Sequence, residues 1–169
     1  LQWTGQIGGN FNENNSKIVM DNVSNLIISG NFDDTTYFFF NGNIDTLIPS
    51  NDSTIPPGGG FILKLNSDGN YLWSKKTEGG IIFRNIAVDL FNDILTTGAF
   101  VSVVDFDPGP ATYYLNSASS QLDVFISKLD SSGSFLWAKK SEIPSTKKHG
   151  LLQQIIMEMF SQLDALKEQ

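Results

Sequence analysis

Asp105 and Asp107 stand two residues apart, just ahead of Pro108-Gly109. In an extended segment such a pair projects to one side of the backbone. Two carboxylates so placed offer oxygen to a hard cation such as Ca²⁺, but that ion takes about six to eight oxygen ligands, and two are too few. Asp, Pro and Gly are also the ordinary vocabulary of a turn. A structural turn is therefore the expectation at Asp105 and Asp107, with calcium as the alternative and no other cofactor. The segment Asn66-Ser67-Asp68-Gly69-Asn70 lacks the alternating acids and distal Glu of a calcium loop and reads as a hairpin. His149, the single histidine, sits among Lys147, Lys148 and Gly150, and no Gly-x-Ser-x-Gly elbow supports a Ser-His-Asp hydrolase. Gly58-Gly59-Gly60 has neither the spacing nor the following Lys-Ser/Thr of a phosphate cradle. Lys75-Lys76 and Lys139-Lys140 are better explained as solvated strand ends than as an anion site. No catalytic residue is assigned, and the chain is not expected to be an enzyme.

The elements that would position any site must come from 169 residues, 40% hydrophobic and 12% aromatic, enough for one domain-sized core. Acidic residues outnumber basic ones 18 to 11, and the net charge of −7 repels phosphate backbones, so nucleic acid is a poor partner. With no cysteine, stability must come from packing, β-ladders or assembly. The longest apolar stretches, at 37–40 and 155–157, fall far short of the roughly 20 residues of a membrane-spanning helix. Leu1 opens the chain without Met or an apolar leader, which suits a processed secreted protein and an excised segment equally.

The chain repeats itself. Gly60-Phe61-Ile62-Leu63-Lys64-Leu65 through Tyr71-Leu72-Trp73-Ser74-Lys75-Lys76 matches Val124-Phe125-Ile126-Ser127-Lys128-Leu129 through Phe135-Leu136-Trp137-Ala138-Lys139-Lys140, a spacing of 64 residues. Upstream, Ile18-Val19-Met20-Asp21 with Gly30 and Phe32 matches Ile86-Ala87-Val88-Asp89 with Gly98 and Phe100, a spacing of 68. The length difference falls after Phe32 or Phe100, where Pro49, Pro56, Pro57 and the three glycines predict a loop. A partial third copy, Leu1-Gln2-Trp3 followed by Gly8-Gly9, resembles Tyr71-Leu72-Trp73 followed by Gly79-Gly80 and must pair elsewhere or stand as an edge. Runs at 18–21, 26–32, 61–65 and 71–75, with their equivalents, read as about four antiparallel strands per repeat. Four-stranded units in tandem are the blades of β-propellers. Trp3, Trp73 and Trp137 are expected to pack between blades, the alternative being a sugar-stacking platform.

Three segments carry a family likeness: Val104-Asp105-Phe106-Asp107-Pro108-Gly109, Asp123-Val124-Phe125-Ile126-Ser127-Lys128-Leu129-Asp130, and Gly133-Ser134-Phe135-Leu136-Trp137-Ala138-Lys139-Lys140. With them the chain resembles, over about residues 1–140, the bacterial β-propeller repeats of large secreted and surface proteins called SBBP-type. The resemblance implies export, an extracellular or cell-surface setting, and a binding or structural role. The first repeat departs from it, with Asp33-Asp34-Thr35-Thr36-Tyr37-Phe38 where the second has Asp-Phe-Asp-Pro-Gly.

After Lys140 the pattern changes. Residues 141–149 read as a linker and 150–169 as an amphipathic helix, with Leu152, Ile156, Met159, Leu163 and Leu166 spaced 4, 3, 4 and 3. That seam suits assembly between chains or docking on the chain's own surface. Propellers typically need about four to eight blades, so two cannot close a ring, although several chains could, as in a trimer. The expected fold is an all-β repeat of two four-stranded antiparallel propeller-type blades plus one C-terminal α-helix. Its domains are 1–140, with repeats at about 18–76 and 86–140 and an extra Trp-strand at 1–5, then the linker and the helix. The expected function is a non-catalytic extracytoplasmic interaction or structural module, with a protein partner or self-association. The alternatives are a carbohydrate-binding module, with Tyr37, Phe38 or Tyr113, Tyr114 stacking on sugar rings, and a fragment of a longer propeller protein without independent function.

Overall fold

A computed structural model describes residues 3–9, 14–50, 55–56, 58–117 and 122–141. In chain order their strands are β1 (Gly5–Gly9), β2 (Asn14–Met20), β3 (Leu26–Phe32), β4 (Thr36–Phe40), β5 (Asn43–Leu47), β6 (Gly59–Leu65), β7 (Tyr71–Glu78), β8 (Ile81–Val88), β9 (Ile94–Phe100), β10 (Val103–Asp105), β11 (Tyr114–Asn116), β12 (Asp123–Leu129) and β13 (Phe135–Ser141). Two four-stranded antiparallel sheets have the same order, β2-β3-β6-β7 and β8-β9-β12-β13. They are the two copies of the repeat and are called the first and second blades.

The expected fold class needs correction. The described residues form four sheets rather than two and contain no helix; residues 150–169, including the seam from Leu152 to Leu166, lie outside them. The stretch after Phe32, expected as a loop, holds the hairpin β4-β5, to which β1 adds a third strand. The stretch after Phe100 holds the smaller hairpin β10-β11. The reason is local. Thr36, Phe38 and Phe40 are buried while Tyr37 and Phe39 are exposed, the period of two that a strand requires. Asn41 and Gly42 follow at φ 50° and 80°, the two left-handed residues of a type I′ hairpin turn.

The blades share one turn, used four times. Asp21, Asn66, Asp89 and Asp130 each accept, through Oδ1, the N–H groups two and four residues on. The residue third after each acid or amide, respectively Ser24, Gly69, Asn92 and Gly133, takes a positive φ of 66°, 77°, 64° and 82°. A short side chain that caps its own turn thereby fixes the register of each hairpin.

Alternation then sends side chains to two cores. In the first blade, Ile28, Phe32, Phe61, Leu63 and Leu65 face Phe38, Phe40 and Leu47 of the inserted hairpin, with Trp3 and Ile7 at the margin. Ile27 and Ile62, from the opposite face, join Val19 and Trp73 against Ile86, Val88, Ile94, Phe100, Phe125 and Leu129 of the second blade. Phe32, Phe38, Phe61, Phe100 and Phe125 are fully buried. At roughly 1.5–3 kcal/mol for each buried phenyl group, these rings supply cohesion that a cysteine-free chain cannot draw from disulfides.

Candidate functional site

Polar groups at the junction between blades come in equivalent pairs. Lys64 Nζ lies 3.0 Å from Asp21 Oδ2 and donates to the carbonyl of Ser131 at 3.1 Å, crossing from the first blade to the second. Lys128, its repeat equivalent, lies 2.8 Å from Asp89 and 2.9 Å from Asp93. Burial pushes the Asp21 carboxyl up, yet hydrogen bonds from Asn25, Lys64 and Val23 outweigh it and leave the pKa lowered. Burial likewise works against the Lys128 ammonium, and the two carboxylates overcome it, raising its pKa. Asn31 adds a second crossing, donating to the Phe83 carbonyl at 2.9 Å and accepting from the Phe83 N–H at 2.7 Å. The ring of Phe83 packs so closely over Gly60 that a Cβ there would stand 2.7 Å from it. Lys64 and Asn31 thus tie the first blade to the second, whereas the Lys128 pairs stay within the second blade.

The residues singled out from sequence fall in several places. Asp105 Oδ1 accepts the N–H groups of Asp107 and Tyr113, and Asp107 Oδ1 accepts that of Gly109, so both carboxylates brace the β10-β11 hairpin. Among the described residues no three or more of His, Cys, Asp and Glu gather as metal ligands. Trp3 donates through Nε1 to the Ser67 carbonyl at 3.2 Å, over the turn of Gly69. Trp73 packs against the second blade, near the turn of Gly133. Trp137 carries Lys139 above its ring, 5.7 Å from the centroid. Phe38 is buried against Phe61 and presents no face for a sugar, whereas its neighbours Tyr37 and Phe39 are exposed. Tyr113 leans on Phe135, and Tyr114 is exposed. His149 lies outside the described residues.

An apolar ridge is built where the first turns of the two blades meet. Asn22 accounts for it: its N–H donates to Asn92 Oδ1 at 2.9 Å, and its amide group donates to the carbonyls of Asp89 and Leu90. Beside this bridge Val23, Leu90 and Phe91 are 67%, 52% and 80% exposed. Val23 and Phe91 occupy the same repeat position, and both turns are held rigidly by Asp21 and Asp89. These three side chains are exposed on fixed turns and do not serve the core.

With this geometry in view, comparison with known proteins adds a likeness. An uncharacterised WD repeat-containing protein of Acanthamoeba polyphaga mimivirus is 28% identical over 137 residues, covering 74% of this chain. The chain spans only 9% of that relative's length. No family model matches the chain, so the bacterial SBBP-type resemblance has no such support, and no solved structure matches it. The coarser reading is what has support: a repeat with β-propeller-like features, two sheets of the same strand order and a distant WD repeat-containing relative. WD repeats run about 40–45 residues, four strands each. The longer spacing here, 64 to 68 residues, follows from the hairpins inserted between the second and third strands of each blade.

Sequence reasoning missed the Asp21-Lys64 and Asp89-Lys128 pairs. Their signal was present, since a lysine stands inside each apolar third strand at the same repeat position. The ridge left a fainter one, three apolar residues placed where turns are ordinarily polar.

Proposed function

We propose that this chain is a non-catalytic interaction segment of a propeller-type repeat protein, working outside the cytoplasm and meeting a protein partner through the ridge of Val23, Leu90 and Phe91. The observation that carries the reading is the exposure of these three side chains on turns locked together by Asn22. The WD repeat relative supports a repeat protein of this kind, and its greater length suits a chain that is one piece of a larger array. The extracytoplasmic setting rests on the resemblance of residues 1–140 to secreted repeats. A photo-reactive phenylalanine analogue at position 91 tests the partner, with one at position 136 as an exposed control. Protein adducts that form on producing cells from position 91, and are lost with Val23→Asp, are expected; equal adducts at both positions would count against the ridge. Protease added to intact cells should digest a tagged chain, and full protection would overturn the location.

A second reading has its own observation. Tyr37 and Phe39 stand side by side on the outer face of the β1-β4-β5 sheet, ring centroids 6.0 Å apart, with Gln6 and Ile44 in register with Phe39. Phe39 borders an open depression lined also by Thr4, Gln6, Asn41 and Asn43. Aromatic faces beside side-chain amides suit sugar rings. Binding on a glycan array that disappears with Phe39→Ala would favour this reading, and an array without hits would remove it.

A further inference from the structure

Equivalent positions in the two blades differ sharply in exposure. Ile86 and Val88 on β8 are 2% and 9% exposed because the first blade covers them with Val19, Ile27 and Ile62. Their counterparts on β2, Ile18 and Met20, are 64% and 63% exposed. The outer half of the same face is already covered, by Trp3, Ile7, Phe38, Phe40 and Leu47. Its inner half is bare.

We propose that the Ile18 and Met20 face seats a further blade of the same repeat type, on the side of the first blade opposite the second. This rests on the propeller reading and specifies the partner of one of its faces. Two observations identify the occupant. The first is the junction between the blades of this chain, which shows what covers these positions when they are covered: the apolar set of Val19, Ile27 and Ile62. The second is continuity. Trp3 matches Trp73 in the repeat, and it packs on the Gly69 turn as Trp73 approaches the Gly133 turn, so one residue of the second junction is in place. The polar lock is also half built. Ser67 is the repeat equivalent of Ser131, and its carbonyl accepts from Trp3 Nε1 with a second lone pair to spare. The lysine of the added blade that corresponds to Lys64 donates to the Ser67 carbonyl, as Lys64 donates to that of Ser131.

The absence of cysteine allows a clean test by thiol labelling. Single variants Met20→Cys, Val88→Cys and Val23→Cys are made in the full chain, and again in a longer chain with a copy of residues 14–70 joined ahead of Leu1. In that chain Leu1-Gln2-Trp3 follows the copy as Tyr71-Leu72-Trp73 follows Asn70. In the full chain Met20→Cys and Val23→Cys should react alike, and Val88→Cys at least about tenfold slower, since buried groups react only after local opening. In the longer chain Met20→Cys should slow to the rate of Val88→Cys, Val23→Cys should stay fast, and Lys64→Met in the added copy should restore part of the Met20→Cys rate. A fast Val88→Cys would sink the propeller reading itself. A slow Val88→Cys with Met20→Cys still fast in the longer chain would overturn the proposal alone, whether the added strands stay unfolded or fold without docking. Met20→Cys that is protected in the full chain and released by dilution would assign the face to a second copy, and would overturn it too.

Discussion

The Lys64 ammonium, paired at 3.0 Å with Asp21 of its own blade, reaches the Ser131 carbonyl of the next blade at 3.1 Å. One buried cation thus joins a turn of the first blade to a turn of the second. Lys64→Met should cost about 3–5 kcal/mol, because it leaves the Asp21 carboxylate buried and uncompensated. Lys128→Met should cost less, since Lys128 is 19% exposed and water can hydrate the carboxylates left behind. Combining Asp21→Asn with Lys64→Met should recover part of the loss. Urea denaturation of the four chains measures all of this, and equal losses at Lys64 and Lys128 would contradict it.

The lowered pKa values of Asp21 and Asp130 give a pH dependence with a definite sign. Burial opposes the Asp21 carboxylate, and hydrogen bonds from Asn25, Lys64 and Val23 overcome that; at Asp130 the Ser132 hydroxyl leads. A carboxyl held below its unfolded value of about 4 contributes stability above that pH, and the contribution fades as pH falls through the folded value. The denaturation midpoint should therefore drop below about pH 4, and less steeply in Asp21→Asn. Lys128 runs the other way, its contribution complete below about pH 10.4 and lost as pH rises through the raised folded value.

Gly69 and Gly133 occupy one repeat position, yet alanine should act differently at each. Both have a positive φ, which costs an alanine about 1–2 kcal/mol. At Gly69 the new Cβ would also lie 2.3 Å from the Trp3 ring, whereas at Gly133 its nearest neighbour, at 2.9 Å, is the flexible end of Lys75. Gly69→Ala should displace Trp3 and shift tryptophan emission toward the red. Gly133→Ala should leave the emission near that of the parent.

Asp105 braces a hairpin, so calcium should matter little there. Asp105→Ala removes the acceptor for the Asp107 and Tyr113 N–H groups, and should lower stability by about 1–3 kcal/mol in calcium and in EDTA alike. A melting temperature of the parent chain that rises with calcium, and no longer does so in Asp105→Ala, would establish the cation site instead.

The repeat itself was legible in the sequence because each strand of a blade places its side chains with a period of two, and the apolar positions must therefore recur wherever the blade recurs. Phe32 with Phe100, and Phe61 with Phe125, are buried for that reason. The turns were legible too, since Gly69 and Gly133 stand where a positive φ is needed. The β4-β5 hairpin was within reach, flagged by Asn41-Gly42 between alternating residues, but the neighbouring prolines and glycines masked it as a loop. Tertiary structure decided the rest. Sequence pattern makes Ile18 and Ile86 the same residue, and only the position of a neighbouring blade makes one exposed and the other buried. Likewise Lys64 and Lys128 are equal in the repeat, but the nearness of Ser131 turns one of them into a link between blades. Local chemistry recurs with the period, whereas burial and cross-blade hydrogen bonds depend on which surfaces meet, and that information lies in no single repeat.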